Sequence, residues 1–172
     1  MSRLSKVLSR HKWKLYAHGQ HIVVVNNRRE RFVHPLMKAF LWALYMPPYQ
    51  NITIEVRIGD KYKPDVVAFA PETQAYQTQM PVLWGEAGRV GRDKIQSLVK
   101  RYPDTHFAIG KWQTRLAPYI DIVAGALERV KRSAPFDLIN FPIDSQYLID
   151  DDGHIHISFA DVDCVRLEPG TG

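Results

Sequence analysis

Apolar positions along the chain change period several times, and the changes mark out its elements. Residues 13–18 and 21–25 read as two strands around Gly19-Gln20, the second a β-branched run of Ile22, Val23, Val24 and Val25. From His34-Pro35 the spacing becomes helical at Leu36, Met37, Phe40, Leu41 and Leu44, with proline in the first turn and Pro47-Pro48 as the stop. Strict alternation at Ile52, Ile54, Val56 and Ile58 then predicts a strand over 52–58. Gly59-Asp60 turns it, 62–69 returns as a hairpin partner, and a loop around 71–81 leads to a strand over 82–86. Gly91 and Arg92 open a helix whose apolar face is Ile95, Leu98, Val99 and Tyr102, ended by Pro103. A short strand over 106–109 and an amphipathic helix over 118–130 follow, the helix closing on Lys131-Arg132. In the tail, 137–141 predicts a strand, and 147–149 and 154–159 a hairpin through Asp152-Gly153.

The order is therefore helix, three strands, helix, strand, with extra strands at both ends: an α/β protein with a mixed sheet. No repeat, low-complexity tract or linker divides it. Its 172 residues, 45% hydrophobic and 24% charged, suit one globular domain over 1–172. The single cysteine, Cys164, excludes an intrachain disulfide framework and multi-cysteine metal sites, and its acidic surroundings disfavour a thiolate. No apolar run approaches the roughly 18 residues that cross a bilayer, and the basic opening MSRLSKVLSRHKWKL lacks the continuous apolar stretch of a secretory signal. A cytoplasmic protein away from membranes is expected.

Charge sharpens this picture. Residues 1–60 carry ten Lys/Arg against three Asp/Glu, for +7, and residues 61–132 carry twelve against seven, for +5. Residues 133–172 carry only Arg166 against eight acids, for −7. A basic body can attract polyanions at long range, nucleic acid and DNA first among them, or serve solubility alone.

Two acids stand where chemistry is to be expected. Lys61-Tyr62-Lys63-Pro64-Asp65 places an aspartate on the returning strand of the hairpin, and Leu83-Trp84-Gly85-Glu86-Ala87-Gly88 places a glutamate at the end of the next strand. Side chains alternate along strands, so one acid from each of two neighbours can face one side of the sheet. Two carboxylates aimed at one point suit a hard divalent cation, Mg²⁺ or Mn²⁺. Such an ion polarises a phosphate oxygen and lowers the pKa of its water.

These residues and this order resemble the PD-(D/E)XK nuclease superfamily, with its αβββαβ core and restriction-endonuclease-like fold. Within it the chain looks most like the small YaeQ-type proteins, whose third strand similarly ends in an apolar-Trp stretch, an acid and a glycine. The likeness is best over 50–112 and weaker over 13–160. It implies a metal-dependent phosphodiesterase with Asp65 and Glu86 as metal ligands. The superfamily lysine two residues past the second acid is replaced here by Gly88. A lysine there would orient the attacking water and stabilise developing charge. Lys94, in the helix after Glu86, is the first substitute, since migration of the lysine into that helix occurs in the superfamily; Lys63 is the second. The first core helix, which in active relatives presents an acid, has none, and only Glu30 precedes it. The alternative is therefore an inactive nuclease-fold protein that binds nucleic acid or a protein partner.

Lesser candidates complete the reading. Glu55 is either a third carboxylate or a partner for Arg57 or Lys63; Arg89 and Arg92 are candidate phosphate contacts. Gln96 reads as solvated. His154 and His156 lack a third ligand at metal-site spacing, and Asp150-Asp151-Asp152-Gly153 reads as a charged turn, not a calcium loop. The tail strands, rich in Ile, Phe and Asp, are a candidate surface for a homodimer or protein partner.

Overall fold

The computed structural model describes residues 3–27, 29, 31–71 and 80–170; Glu30 and most of the 71–81 loop lie outside them. Strands β1 (Lys12–Ala17) and β2 (Gln20–Val25) pair antiparallel as a two-stranded sheet of their own. Helix α1 (Val33–Tyr45) follows, and every residue from Pro35 to Tyr45 is buried. It is covered twice, by the β1–β2 hairpin on one side and a six-stranded sheet on the other. That sheet runs β3 (Thr53–Ile54), β4 (Val66–Phe69), β5 (Pro81–Ala87), β6 (His106–Trp112), β7 (Phe136–Phe141), β8 (Asp163–Leu167) in spatial as in chain order. β5, β6 and β7 are parallel, and the remaining pairs antiparallel. Helices α2 (Arg92–Arg101) and α3 (Ala117–Leu127) make the parallel crossovers on the face opposite α1.

Strand alternation divides the core accordingly. Leu83, Ile139 and Phe141 join α1's Leu36, Phe40 and Leu41, whereas Trp84, Phe107 and Leu138 join Leu98, Val99 and Val123 of α2 and α3. The helix sits low on the sheet because two strand positions lack a side chain. A Cβ on Gly110 would lie 2.9 Å from Phe141 Cε2 and 3.4 Å from Leu41 Cδ1; one on Gly85 would lie 3.2 Å from Val66 Cβ.

Three expectations are corrected. The strand over 52–58 shrinks to Thr53–Ile54, because Glu55 turns to φ 60° and breaks the alternation. Its partner accordingly begins at Val66 rather than 62, leaving Tyr62–Asp65 as an ordered approach. Asp60 fixes that approach to the end of α2: it pairs with Arg101 and accepts from Tyr102 Oη (2.6 Å) and Tyr62 N (2.9 Å). The tail hairpin is likewise reduced to one bridge, Ile149–Ile155. Its turn docks instead onto β1, where Tyr16 N donates to Gly153 O (2.9 Å) and Ile155 N to Tyr16 O (2.8 Å). Gly153 has φ 91°, and a Cβ there would collide with the Lys14 carbonyl. The last strand is β8, which pairs with β7 at the sheet edge.

Candidate active site

β4 and β5 bring the two acids together. Val66 pairs with Gly85 and Asp65 N donates to Gly85 O (3.1 Å), so Asp65 stands across from Glu86. Asp65 Oδ2 also accepts from Ala87 N (2.8 Å), which bends its side chain over the end of β5. Glu86 is buried beneath α2. Its Oε1 accepts from Trp84 Nε1 (2.8 Å) and is paired with Lys94 Nζ (2.8 Å). Burial lifts the Glu86 carboxyl above its ordinary value against the pull of Lys94 and Trp84, and the negative charge of Asp65 adds to the rise.

Lys94 thus reaches back from the first turn of α2 to the second acid, with its ammonium 5.0 Å from the centre of the Tyr62 ring. Lys63 does not approach Asp65: it pairs with Glu55 (2.6 Å), one of the cross-hairpin partners expected for that residue. Glu55 is held a second time by Lys38. Burial raises the Glu55 carboxyl, but the two lysines outweigh it and bring it below its usual range.

Sequence reasoning missed α1's contribution. His34 and Lys38, four residues apart on one face of the helix, both approach Asp65, His34 Nε2 at 3.8 Å from Oδ2 and Lys38 Nζ at 3.7 Å from Oδ1. The helix that offers no acid offers two basic groups. A lysine set in an otherwise apolar helix was the available signal, because burying an ammonium demands a carboxylate partner. Lys111 is the second omission. Gly88 N donates to Gly110 O (2.9 Å), so Gly88 lies beside Lys111 on β6, and Lys111 Nζ donates to Gly88 O (2.7 Å). A cation therefore lies next to the position that lacks its lysine. Burial, helped by the charge of Arg89, brings the Lys111 ammonium down to about 8.

Beyond Gly88 the strand ends open into a cavity of about 920 Å³, between the start of α1, the Gly88–Arg92 loop, the end of β6 and α3. Arg89 and Arg92 line it, as does His34, which is therefore shared with the acids. Elsewhere, His156 and His154 lie 2.9 and 3.6 Å from Asp150, which also accepts from two backbone amides of its own turn. Among the described residues no group of three or more His, Cys, Asp or Glu is arranged to hold a metal ion, and no helix is long and apolar enough to cross a membrane.

No family model and no curated protein matches the sequence. Solved structures do. The YaeQ protein from Pseudomonas syringae superposes with a TM-score of 0.54 at 13% identity, covering 94% of this chain and 95% of that one. The YaeQ protein from Xanthomonas axonopodis pv. citri gives 0.54 at 14% identity, over 92% and 94%. The fold is YaeQ-like. At this identity the likeness is one of fold alone. The YaeQ-like frame holds Glu86 on β5 and Asp65 just ahead of β4, with α1 reaching Asp65 and α2 reaching Glu86.

Proposed function

We propose that the protein is a metal-dependent phosphodiesterase of the PD-(D/E)XK type, acting on nucleic acid, with DNA as the first substrate to try. The observation that carries the reading is that Asp65, just ahead of β4, is hydrogen-bonded to Gly85 and Ala87 on either side of Glu86, and its charge raises the proton affinity of Glu86. Two neighbouring carboxylates fit Mg²⁺ or Mn²⁺, since such ions commonly take one or two protein carboxylates and complete their shell with water and substrate phosphate. Asp65 and Glu86 would hold the ion, which when bound supplies a Lewis acid at a phosphate oxygen and a water of lowered pKa. Lys94 keeps positive charge beside Glu86 and offers a donor to the group attacking phosphorus. Lys111 keeps a second ammonium at the Gly88 carbonyl, and Arg89 and Arg92 hold substrate phosphates at the cavity mouth.

The ion pairs themselves favour a second reading. Lys94 on Glu86, Lys38 beside Asp65 and Lys38 with Lys63 on Glu55 already neutralise the acids, as a nuclease fold retained only for binding would require. Calorimetric titration of Mn²⁺ into the wild type, Asp65→Ala and Glu86→Ala, carried to millimolar metal, separates the two. Saturable binding abolished by both substitutions supports the phosphodiesterase. The same heat in all three proteins, or none, removes that reading and leaves the binding protein.

A further inference from the structure

The cavity beyond Gly88 has a composition that the carboxylate site does not require. Four cationic residues, Arg31, Arg89, Arg92 and Lys111, line it, and no acid does among the described residues. Apart from His34 and Thr114, the rest of its wall is apolar or aromatic, led by Trp112 and Tyr119. Its volume, about 920 Å³, falls within the roughly 300–1,000 Å³ of small-ligand pockets. It opens at the carboxyl ends of the parallel strands β5 and β6, where ligands bind in open α/β sheets. His34 lies both in its wall and 3.8 Å from Asp65 Oδ2, and Gly88 is two residues from Glu86, so a ligand here is next to the acids.

From this we infer that the cavity receives one unpaired nucleotide of a single strand, its base against Trp112 and its phosphates among Arg89, Arg92 and Lys111. The inference rests on the nucleic-acid reading above and narrows its substrate to single-stranded ends or unpaired stretches. A base has a π-face for an aromatic wall and a phosphate on either side, and this lining offers a partner to each. In a duplex the bases are stacked and paired, and entering such a pocket requires unstacking. A surface that only tracked a duplex backbone would need the cations and not the recess. Lys111 fits the same account: it is buried against Tyr119, its ammonium 4.0 Å from the ring centre, where an incoming phosphate would restore the full charge that burial works against.

Intrinsic fluorescence reads this directly. Trp13, Trp42 and Trp84 are no more than 2% exposed, while Trp112 alone of the four tryptophans is partly open. In EDTA, with no cleavage, a short oligothymidylate strand is expected to quench the emission at concentrations where a blunt two-stranded duplex of equal length does not. Trp112→Leu should abolish the quench and weaken single-strand binding about tenfold, a loss ordinary for one stacked base. Arg89→Ala and Arg92→Ala, at exposed positions that leave the core intact, should each weaken binding and flatten its dependence on salt. Equal quenching by duplex, or binding that senses the arginines but leaves Trp112 emission unchanged, overturns the pocket while the nucleic-acid reading stands. Failure of every oligonucleotide to bind removes both. Single-strand quenching that survives alongside an absent Mn²⁺ response keeps the pocket and removes the phosphodiesterase.

Discussion

At the scale of single residues, the pair Glu86 and Lys94 sets the electrostatic character of the site. Lys94→Met would leave the burial of Glu86 and the charge of Asp65 unopposed by their main counterweight, so the carboxyl should rise further. On the proposed metal site, Mn²⁺ binding needs that carboxylate ionised; its pH profile, followed by titration calorimetry, should therefore move to higher pH in the variant. Gly88 makes the opposite point. It sits at φ 89°, and a Cβ would come 3.6 Å from His34 Cδ2. Gly88→Lys thus places a side chain on left-handed backbone, at a cost on the order of 1–2 kcal/mol, and is expected to lower the urea midpoint without raising cleavage. Legibility at this scale was uneven. Asp65 and Glu86 stand out because strand ends are readable from spacing, whereas Lys94 stands out only through the resemblance to the nuclease superfamily. His34 and Lys38 do not, since their role depends on which face α1 turns to β4, and Lys111 depends on a register between β5 and β6 that no local pattern encodes.

Among elements, hydrophobic period located those whose two sides differ. α2 shows its apolar stripe plainly because its other side is solvated. β3 was overdrawn because the alternation from Ile52 to Ile58 is real but the backbone leaves the extended region at Glu55, a choice fixed by Lys38 and Lys63 from outside the strand. β8 was missed because only Val165 and Leu167 turn inward, too few to stand out in an acidic tail. The close seat of α1 on the sheet is testable at Gly110. Gly110→Ala puts a methyl 2.9 Å from Phe141 Cε2 and should destabilise by about 1–3 kcal/mol, as overpacking does, read from the shift in urea midpoint.

For the whole molecule, body and tail are joined at one buried carboxylate. Asp137 on β7 is fully buried and accepts from Tyr45 Oη (2.6 Å), pairs with His106 Nε2 (2.6 Å), and accepts from Arg166 Nε (2.8 Å) and Nη2 (3.0 Å) of β8. Burial raises this carboxyl, but the bonds from His106, Arg166 and Tyr45 overcome it and hold it at about 2. An unfolded aspartate titrates near 4. Asp137 therefore stabilises the fold above that value, and the contribution, about 2 kcal/mol, disappears as pH falls through about 2. Urea unfolding between pH 4 and pH 2 should show that slope in the wild type. Asp137→Asn should flatten it, from a neutral-pH stability lower by on the order of 3–5 kcal/mol. The sequence announced the charge division but not this junction, which joins residues 45, 106, 137 and 166 through tertiary contact alone.

The cover over α1 has a consequence for the life of the protein outside its resting state. A two-stranded hairpin has little stability of its own, and β1–β2 pairs with no other strand of a sheet, so it keeps its place by packing on α1 and by the docked turn at Gly153. Beneath it is a helix whose residues from Pro35 to Tyr45 include one charge, Lys38. Heat that lifts the hairpin would bare that surface before the six-stranded sheet gives way, leaving a species that is still largely folded and already adhesive. Trp13→Ala, which removes a fully buried ring from the underside of the hairpin, is expected to bring light scattering on warming to a temperature below the loss of sheet circular dichroism. In the wild type the interval between the two should be narrower.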